Sequence, residues 1–321
     1  MVSSDTGQCC NLAVAGLQSP MTNAAGPSPR CLTDYLLLIT AMDKNLIFHT
    51  IKDLPPFPDI VLKVIQATKN PDYCAQDLVD IIEYDPSLTA NVLKVANSAY
   101  FGLHAQVTSM RQAVAYLGAT TIINILFLSG CSTYFRGDFS GYGTSGKQLL
   151  IHSISTAIMT RILGERIGIK DTSSIFTAGL LHDIGKIVLS TFVRDKYDDI
   201  MRLVGQNNYS FIMAEREVLG VDHAWVGGEM VKKWKIPLEI ATPVALHHDL
   251  EKASSDDMAT PLVYLADQVY VLVSGNRGDD RWCFTTFKQA MDRCRLTEAD
   301  MDASMLILNE TSKNIHQLLS I

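Results

Sequence analysis

An all-α fold is expected for this chain of 321 residues. From Pro55 onward, apolar residues recur at three- and four-residue steps, the period of one helix face, and the alternating β-branched runs that would mark strands are scarce. The breaks between these runs carry helix punctuation: proline at starts, Ser three residues ahead of Gln, and glycine at ends. With 47% hydrophobic residues, the chain can bury one large core or two moderate ones.

Residues 1–41 stand apart, rich in Ser, Gly, Ala and Pro, with no Lys or Arg before Arg30, so this stretch is expected to be disordered. It lacks the basic start and compact apolar run of a signal peptide. The compositional break motivates the hypothesis that translation starts at Met42, which the intact mass of the native protein decides.

An N-terminal helical subdomain is expected over 42–136. In it, LPPFP (Leu54–Pro58) leads into a helix carrying Ile60, Val61, Val64 and Ile65, which Asn70-Pro71 ends. A second helix spans about Ala75 to Glu83, and Asp85-Pro86 opens a third through Leu88, Val92, Leu93 and Ala96. NSAYFG (Asn97–Gly102) reads as the end of that helix, with Tyr100 or Phe101 packing between the halves. Ser109 and Gln112 resemble a capping box for Met110–Leu117, Gly118 closes that helix, and another runs to about Phe135. Its apolar stretch Ile122–Leu128 is the strongest membrane candidate but too short to span, and no membrane partner is expected. Gly137, Gly141, Gly143 and Gly146 then mark a loop between two halves.

The second half, 147–275, is expected to be a helical bundle. Its first helix holds His152 and stops by about Gly168. Ser174–Phe192 encloses a His-Asp doublet, and Ser210–Leu219, Asp222–Trp234, Pro237–His248 and Pro261–Val273 follow. Residues 281–321, with Leu296-Thr297-Glu298 opening an amphipathic run, read as one or two closing helices that pack on the core or mediate dimerisation.

Composition removes two classes of function. A net charge of -7 with no basic block argues against nucleic acid as a principal ligand. Seven scattered cysteines without a CxxC pair fit neither a disulfide framework nor a thiolate zinc site, and they point to a reducing cytoplasm.

The chemistry concentrates in the second half. AGLLHDIGK (Ala178–Lys186) sets His182 and Asp183 in an apolar helix, where an ionised carboxylate is costly unless it is paired or bound to a metal. The candidate ligands are His152, His182, Asp183, His223, His247, His248 and Asp267. Any one histidine alone is an ordinary hydrogen-bonded residue, but Asp267, beside Val263, Tyr270 and Val271, points into apolar surroundings where acids need partners. Lys186 shares the face of His182 and Asp183, where it either meets a phosphate oxygen or is a partnerless surface lysine. Glu215 and Glu217 are conceivable acceptors for an imidazole N–H, although a solvated helix face is the plainer expectation. Trp225 and Trp234 are expected to pack in the core.

The order His, His-Asp, His, His-His, Asp resembles the HD superfamily of metal-dependent phosphohydrolases, closest to its HD-GYP phosphodiesterase branch. LPPFPDIVLKVI (Leu54–Ile65), DPSLTANVLKVANSAYFG (Asp85–Gly102), VTSMRQAVAYLG (Val107–Gly118) and AGLLHDIGKIVL are similar to the HDOD family of bacterial signalling domains. The resemblance covers roughly Leu54 to Tyr270 and implies an HDOD architecture with an HD-like bundle. It implies His152, His182, Asp183 and Asp267 as core ligands, with Asp183 bridging if two ions bind. His223, His247 and His248 would complete a second site. HDOD domains are generally non-catalytic and often lack HD ligands, whereas this chain keeps every one. It departs from HD-GYP in having DLEKASSDD (Asp249–Asp257) where the substrate-recognition segment belongs.

Mixed N and O ligation suits one or two divalent ions, with iron preferred and manganese or zinc as alternatives. Two functions follow. One is a signalling module with a structural or sensory metal, acting through a protein partner or a homodimer. The other is a metal-dependent phosphohydrolase for a phosphodiester or nucleotide, in which Asp183 and Lys186 are the catalytic residues, with Lys186 on the phosphate. Whether turnover occurs is left open.

Overall fold

The computed structural model describes residues 44–70, 72–98, 100–206, 209–274 and 284–318, all within one contact unit, Thr40–Ile321. The expectations for residues 1–41 and for a start at Met42 lie outside the described residues. Among the described residues there are helices and no strands.

The first half holds α1 (44–53), α2 (Asp59–Thr68), α3 (Ala75–Glu83), α4 (Pro86–Ala96) and α5 (Met110–Ser132). The expected start signals act as caps. Asp85 Oδ1 accepts from Leu88 N at 3.0 Å, and Ser109 Oγ accepts from Gln112 N at 3.2 Å. The Gln112 side chain reaches back to Thr108 N instead of Ser109, so the box is shifted by one residue. Gly118, at φ 79°, breaks α5 where the sequence placed an end. NSAYFG does close α4: Asn97 donates to Leu93 O and Val107 O and accepts from Val107 N, each at 2.8 Å. Tyr100 and Phe101 pack edge-to-face beside α5 and the following helix.

The second half holds α6 (Gly146–Arg166), α7 (Ser173–Leu181), α8 (Lys186–Asp195), α9 (Tyr197–Gln206), α10 (Phe211–Leu219), α11 (His223–Lys233), α12 (Leu238–Leu246) and α13 (Ala259–Ser274). Then come α14 (Phe284–Cys294) and α15 (Glu298–Leu318). α6 is the central helix, flanked by α7, α13 and α15, while α12 bridges α7, α11 and α13. One apolar cluster runs from Ile47 on α1 to Leu308 on α15, with Trp234 buried in it and Trp225 packed against it. α15 thus packs on the core, tied to α6 by Arg166 and Asp300 at 3.1 Å.

One expected helix is divided. Ser174–Phe192 was to be continuous, but residues 182–185 form a turn between α7 and α8. Amides there bond three residues back, Ile184 to Leu181 O at 2.9 Å and Lys186 to Asp183 O at 3.0 Å. The cause is a close approach between backbones. A Cβ on Gly185 would lie 1.9 Å from His223 O and 2.6 Å from Gly227 N, so the turn sits directly on α11. α9 was not anticipated.

By length and composition, Met110–Arg136 and Ser173–Asp195 could each cross a membrane, and 50% and 78% of the respective apolar windows are buried within the protein. The run Ile122–Leu128 is therefore part of a longer apolar helix than its own length suggested.

Candidate metal centre

The seven candidate ligands converge. His152 comes from mid-α6, His182 and Asp183 from the turn after α7, His223 from the first turn of α11, His247 and His248 from the end of α12, and Asp267 from α13. Three groupings each offer ligand atoms within 4.8 Å of one another: His152, His182 and Asp267; His182, Asp183 and His247; His223, His247 and His248. His152 Nε2 lies 3.0 Å from His182 Nε2, 3.2 Å from Asp183 Oδ2 and 3.1 Å from Asp267 Oδ1. On the other side, His223 Nε2 lies 3.3 Å from Asp183 Oδ1 and 3.1 Å from His248 Nε2. Asp183 thus faces both groups, one oxygen to each.

Three imidazoles are oriented from behind. His182 Nδ1–H donates to Gly179 O at 2.8 Å and His247 Nδ1–H to Val244 O at 2.9 Å, both on the preceding helical turn. His223 Nδ1–H donates to Glu215 Oε2 at 2.8 Å. Because these oxygens can only accept, each Nδ1 carries the proton and each Nε2 is turned to the centre. His247 Nε2 is buried with no hydrogen-bond partner, an atom whose lone pair is left for an ion.

Charge in the cluster is divided accordingly. Burial opposes charge on His182, but Asp183 and Asp267 outweigh it and push its pKa up to about 10. His247 is the opposite case: burial, reinforced by His182 and His223, brings it down to about 3. Burial alone would raise Asp183, yet His182, Lys186 and His152 hold it well below the usual carboxylate range, and His152 and His182 do the same for Asp267. Asp183, Asp267 and His247 are thus already in the state an ion requires, whereas His182 carries a proton that an ion would displace.

Lys186 has a partner. Its Nζ lies 2.8 Å from Asp183 Oδ2 with 17% of the side chain exposed, so the partnerless surface lysine is excluded. Glu215 corrects the solvated-face expectation: it is 0% exposed and takes His223 Nδ1 and N, whereas Glu217 is exposed. Next to it, Arg216 bonds Asp222 and, at 2.9 Å, Asp249, pinning the residues that flank His223 and His248. Two tyrosines also border the cluster, Tyr142, to which the sequence assigns no role, and Tyr270, which it gives only as an apolar neighbour of Asp267. Tyr142, from the glycine-spaced loop, donates to Glu215 Oε1 at 2.5 Å, and the Tyr270 ring lies 4.6 Å from that of His152. The available signal was Gly220 followed by an Asp cap at Asp222, which reverses the chain and folds Glu215 back onto His223.

The HDOD domain family profile matches residues 54–250. The chain belongs to the HDOD domain family. Among relatives by sequence, an uncharacterized protein of Treponema pallidum is 24% identical over 210 residues, 64% of this chain and 40% of that one. A ribonuclease Y of Clostridium kluyveri is 32% identical over 138 residues, 42% of this chain and 21% of that one. The match therefore spans well under half the length of either relative. Three solved structures share the fold. An HDOD domain protein of unknown function from Geobacter sulfurreducens has a TM-score of 0.67 at 23% identity, covering 86% of this chain and 98% of that one. A candidate phosphohydrolase from Shewanella amazonensis has 0.64 at 20%, covering 85% and 97%. A candidate signal transduction protein from Marinobacter aquaeolei has 0.67 at 20%, covering 88% and 65%. Asp267 lies beyond the family-matched segment, so this HDOD chain completes its cluster with a helix outside it.

Proposed function

We propose that this HDOD protein is a bacterial, cytoplasmic signal-transduction component that binds one or two divalent ions at the His/Asp cluster and acts through a protein partner or a second copy of itself. The observation that carries it is the convergence of seven donors with His247 Nε2 buried and unpartnered. His152, His182, Asp183 and Asp267 would hold one ion and Asp183, His223, His247 and His248 the other. Bound there, an ion neutralises the two buried carboxylates and, in a hydrolase, supplies Lewis acidity. Iron is preferred for this mixed imidazole and carboxylate set, ahead of manganese or zinc. Free Cys131 and Cys294, both buried, accord with a reducing compartment.

A regulatory role is favoured over turnover by the segment after His248. Asp249 is tied to Arg216, and Arg293 on α14 donates to Leu250 O, Ser254 O and Asp257 O, which immobilises the stretch that phosphodiesterases of the HD-GYP type use for substrate. The alternative is a metal-dependent phosphohydrolase, supported by the half-buried Lys186 ammonium beside Asp183, in position to meet a phosphoryl oxygen.

Elemental analysis of protein purified without chelators, paired with hydrolysis of bis-p-nitrophenyl phosphate, tests both. One or two equivalents of metal and no turnover are expected, with metal lost in Asp183→Ala. Turnover that vanishes in Asp183→Ala would establish the hydrolase instead, and absence of metal from the wild type would sink both readings.

A further inference from the structure

We propose that Tyr142 is a positioning residue of the metal centre, acting through Glu215 on His223, and that it makes the connector 133–146 part of that centre. This rests on the metal binding proposed above. The connector joins α5 to α6 through two short 3-10 turns, Thr133–Arg136 and Ser140–Tyr142. It is pressed into the bundle: a Cβ on Gly141 would lie 2.6 Å from both Ser190 O and Arg194 N of α8, and the connector folds back on the start of α6, where a Cβ on Gly146 would lie 1.8 Å from Phe135 O. Gly143, at φ 59°, turns the chain immediately after Tyr142.

From this fixed base the Tyr142 ring reaches inward. It lies 5.6 Å from the Phe211 ring and edge-on to the His223 ring at 6.4 Å, with the Lys186 ammonium 5.5 Å from its centroid. Its hydroxyl donates to Glu215 Oε1 at 2.5 Å, while Glu215 Oε2 takes both the ring and backbone N–H of His223. Glu215 is fully buried, and a buried carboxylate is held most firmly, and at least cost, when both oxygens have donors. Removing the phenol leaves Oε1 without that donor, so only the His223 N–H groups on Oε2 orient the carboxylate and the aim of His223 loosens. The relay runs both ways, because an ion held on His223 tightens the same hydrogen bonds back to the connector.

Tyr142→Phe keeps the ring and removes the hydroxyl. Compared with wild type, it should bind Co(II) with a Kd raised on the order of 10-fold, the lower end of the effect of losing an outer partner of a ligand. The visible spectrum of bound cobalt should shift, reporting altered geometry at His223. Metal loading should slow amide hydrogen exchange across residues 137–146 in the wild type and leave it unchanged in Tyr142→Phe. Glu215→Gln, which retains an acceptor for His223 Nδ1–H, should fall between wild type and Glu215→Ala in affinity. Melting of the chelator-treated variants separates these effects from loss of fold. An unchanged Kd and spectrum in Tyr142→Phe, or a wild-type connector indifferent to metal, would overturn the role of Tyr142 while leaving metal binding intact. A wild type that binds no cobalt would instead remove the metal centre and this role with it.

Discussion

At the level of single residues, two imidazoles with the same kind of support take different protonation states. His182 and His247 each rest on a carbonyl of their own helix, yet His182 is driven up to about 10 and His247 down to about 3. The difference is their neighbours: His182 faces Asp183 and Asp267, while His247 is hemmed by His182 and His223. An unfolded chain titrates both near 6.5. Stability from protonated His182 is therefore complete below pH 6.5 and is lost as pH rises from there through about 10. Neutral His247 works in the other window, because between about 3 and 6.5 the unfolded chain takes the proton more readily and folding weakens as pH falls. For these two groups, metal-free protein is expected to melt highest near pH 6.5 and to lose stability towards pH 10, and saturating metal should abolish the alkaline loss by taking the proton's place. Calorimetry in chelator across that range checks it, and a flat alkaline limb without metal refutes it. The candidate donors were legible because each is an unusual residue in an apolar run, and the fold brings them together. Glu215 was not, since its role depends on the reversal at Gly220 that brings it against His223, and nothing in helical spacing separates it from the solvated Glu217.

Among the elements, the HD turn and α11 meet backbone to backbone. Gly185 sits where a Cβ would meet backbone atoms of His223 and Gly227, and backbone cannot rotate aside as a side chain can. Gly185→Ala leaves a permitted torsion, φ -64°, so its cost is steric and is expected at about 3 kcal/mol, the upper part of the range for overpacked sites. Because the displaced atom is the carbonyl of His223, a proposed ligand, bound metal should fall together with the denaturant midpoint. A variant with wild-type stability would show that the turn and α11 can separate. Periodicity located most helices within a residue or two, since caps at Asp85, Ser109, Ser145 and Ser210 agree with it. It could not divide α7 from α8, because the break is imposed by α11, a partner distant in sequence. The glycine-spaced loop was legible as a joint and not as a site, since spacing alone gives no direction for Tyr142.

For the molecule as a whole, the HDOD segment does not contain its own cluster. The family match ends at residue 250, while Asp267 arrives on α13, and Arg293 on α14 returns to fasten the segment after His248. Asp267→Asn in the full chain should weaken metal binding on the order of 100-fold, at least the loss seen for outer partners, with the helical fold retained in circular dichroism. Undiminished metal in that variant would confine the centre to the family segment. The wide dispersal of the ligands has a consequence for biogenesis. The donors run from His152 to Asp267, so the complete cage exists only after α6, α11 and α13 have met, whereas a nascent chain offers an ion only the adjacent pairs His182-Asp183 and His247-His248. Ions caught on those pairs also hold the unfolded chain and offset the gain from loading the native one. If the cluster binds metal as proposed, the order of folding and loading therefore joins equilibrium affinity in deciding which ion the finished protein keeps.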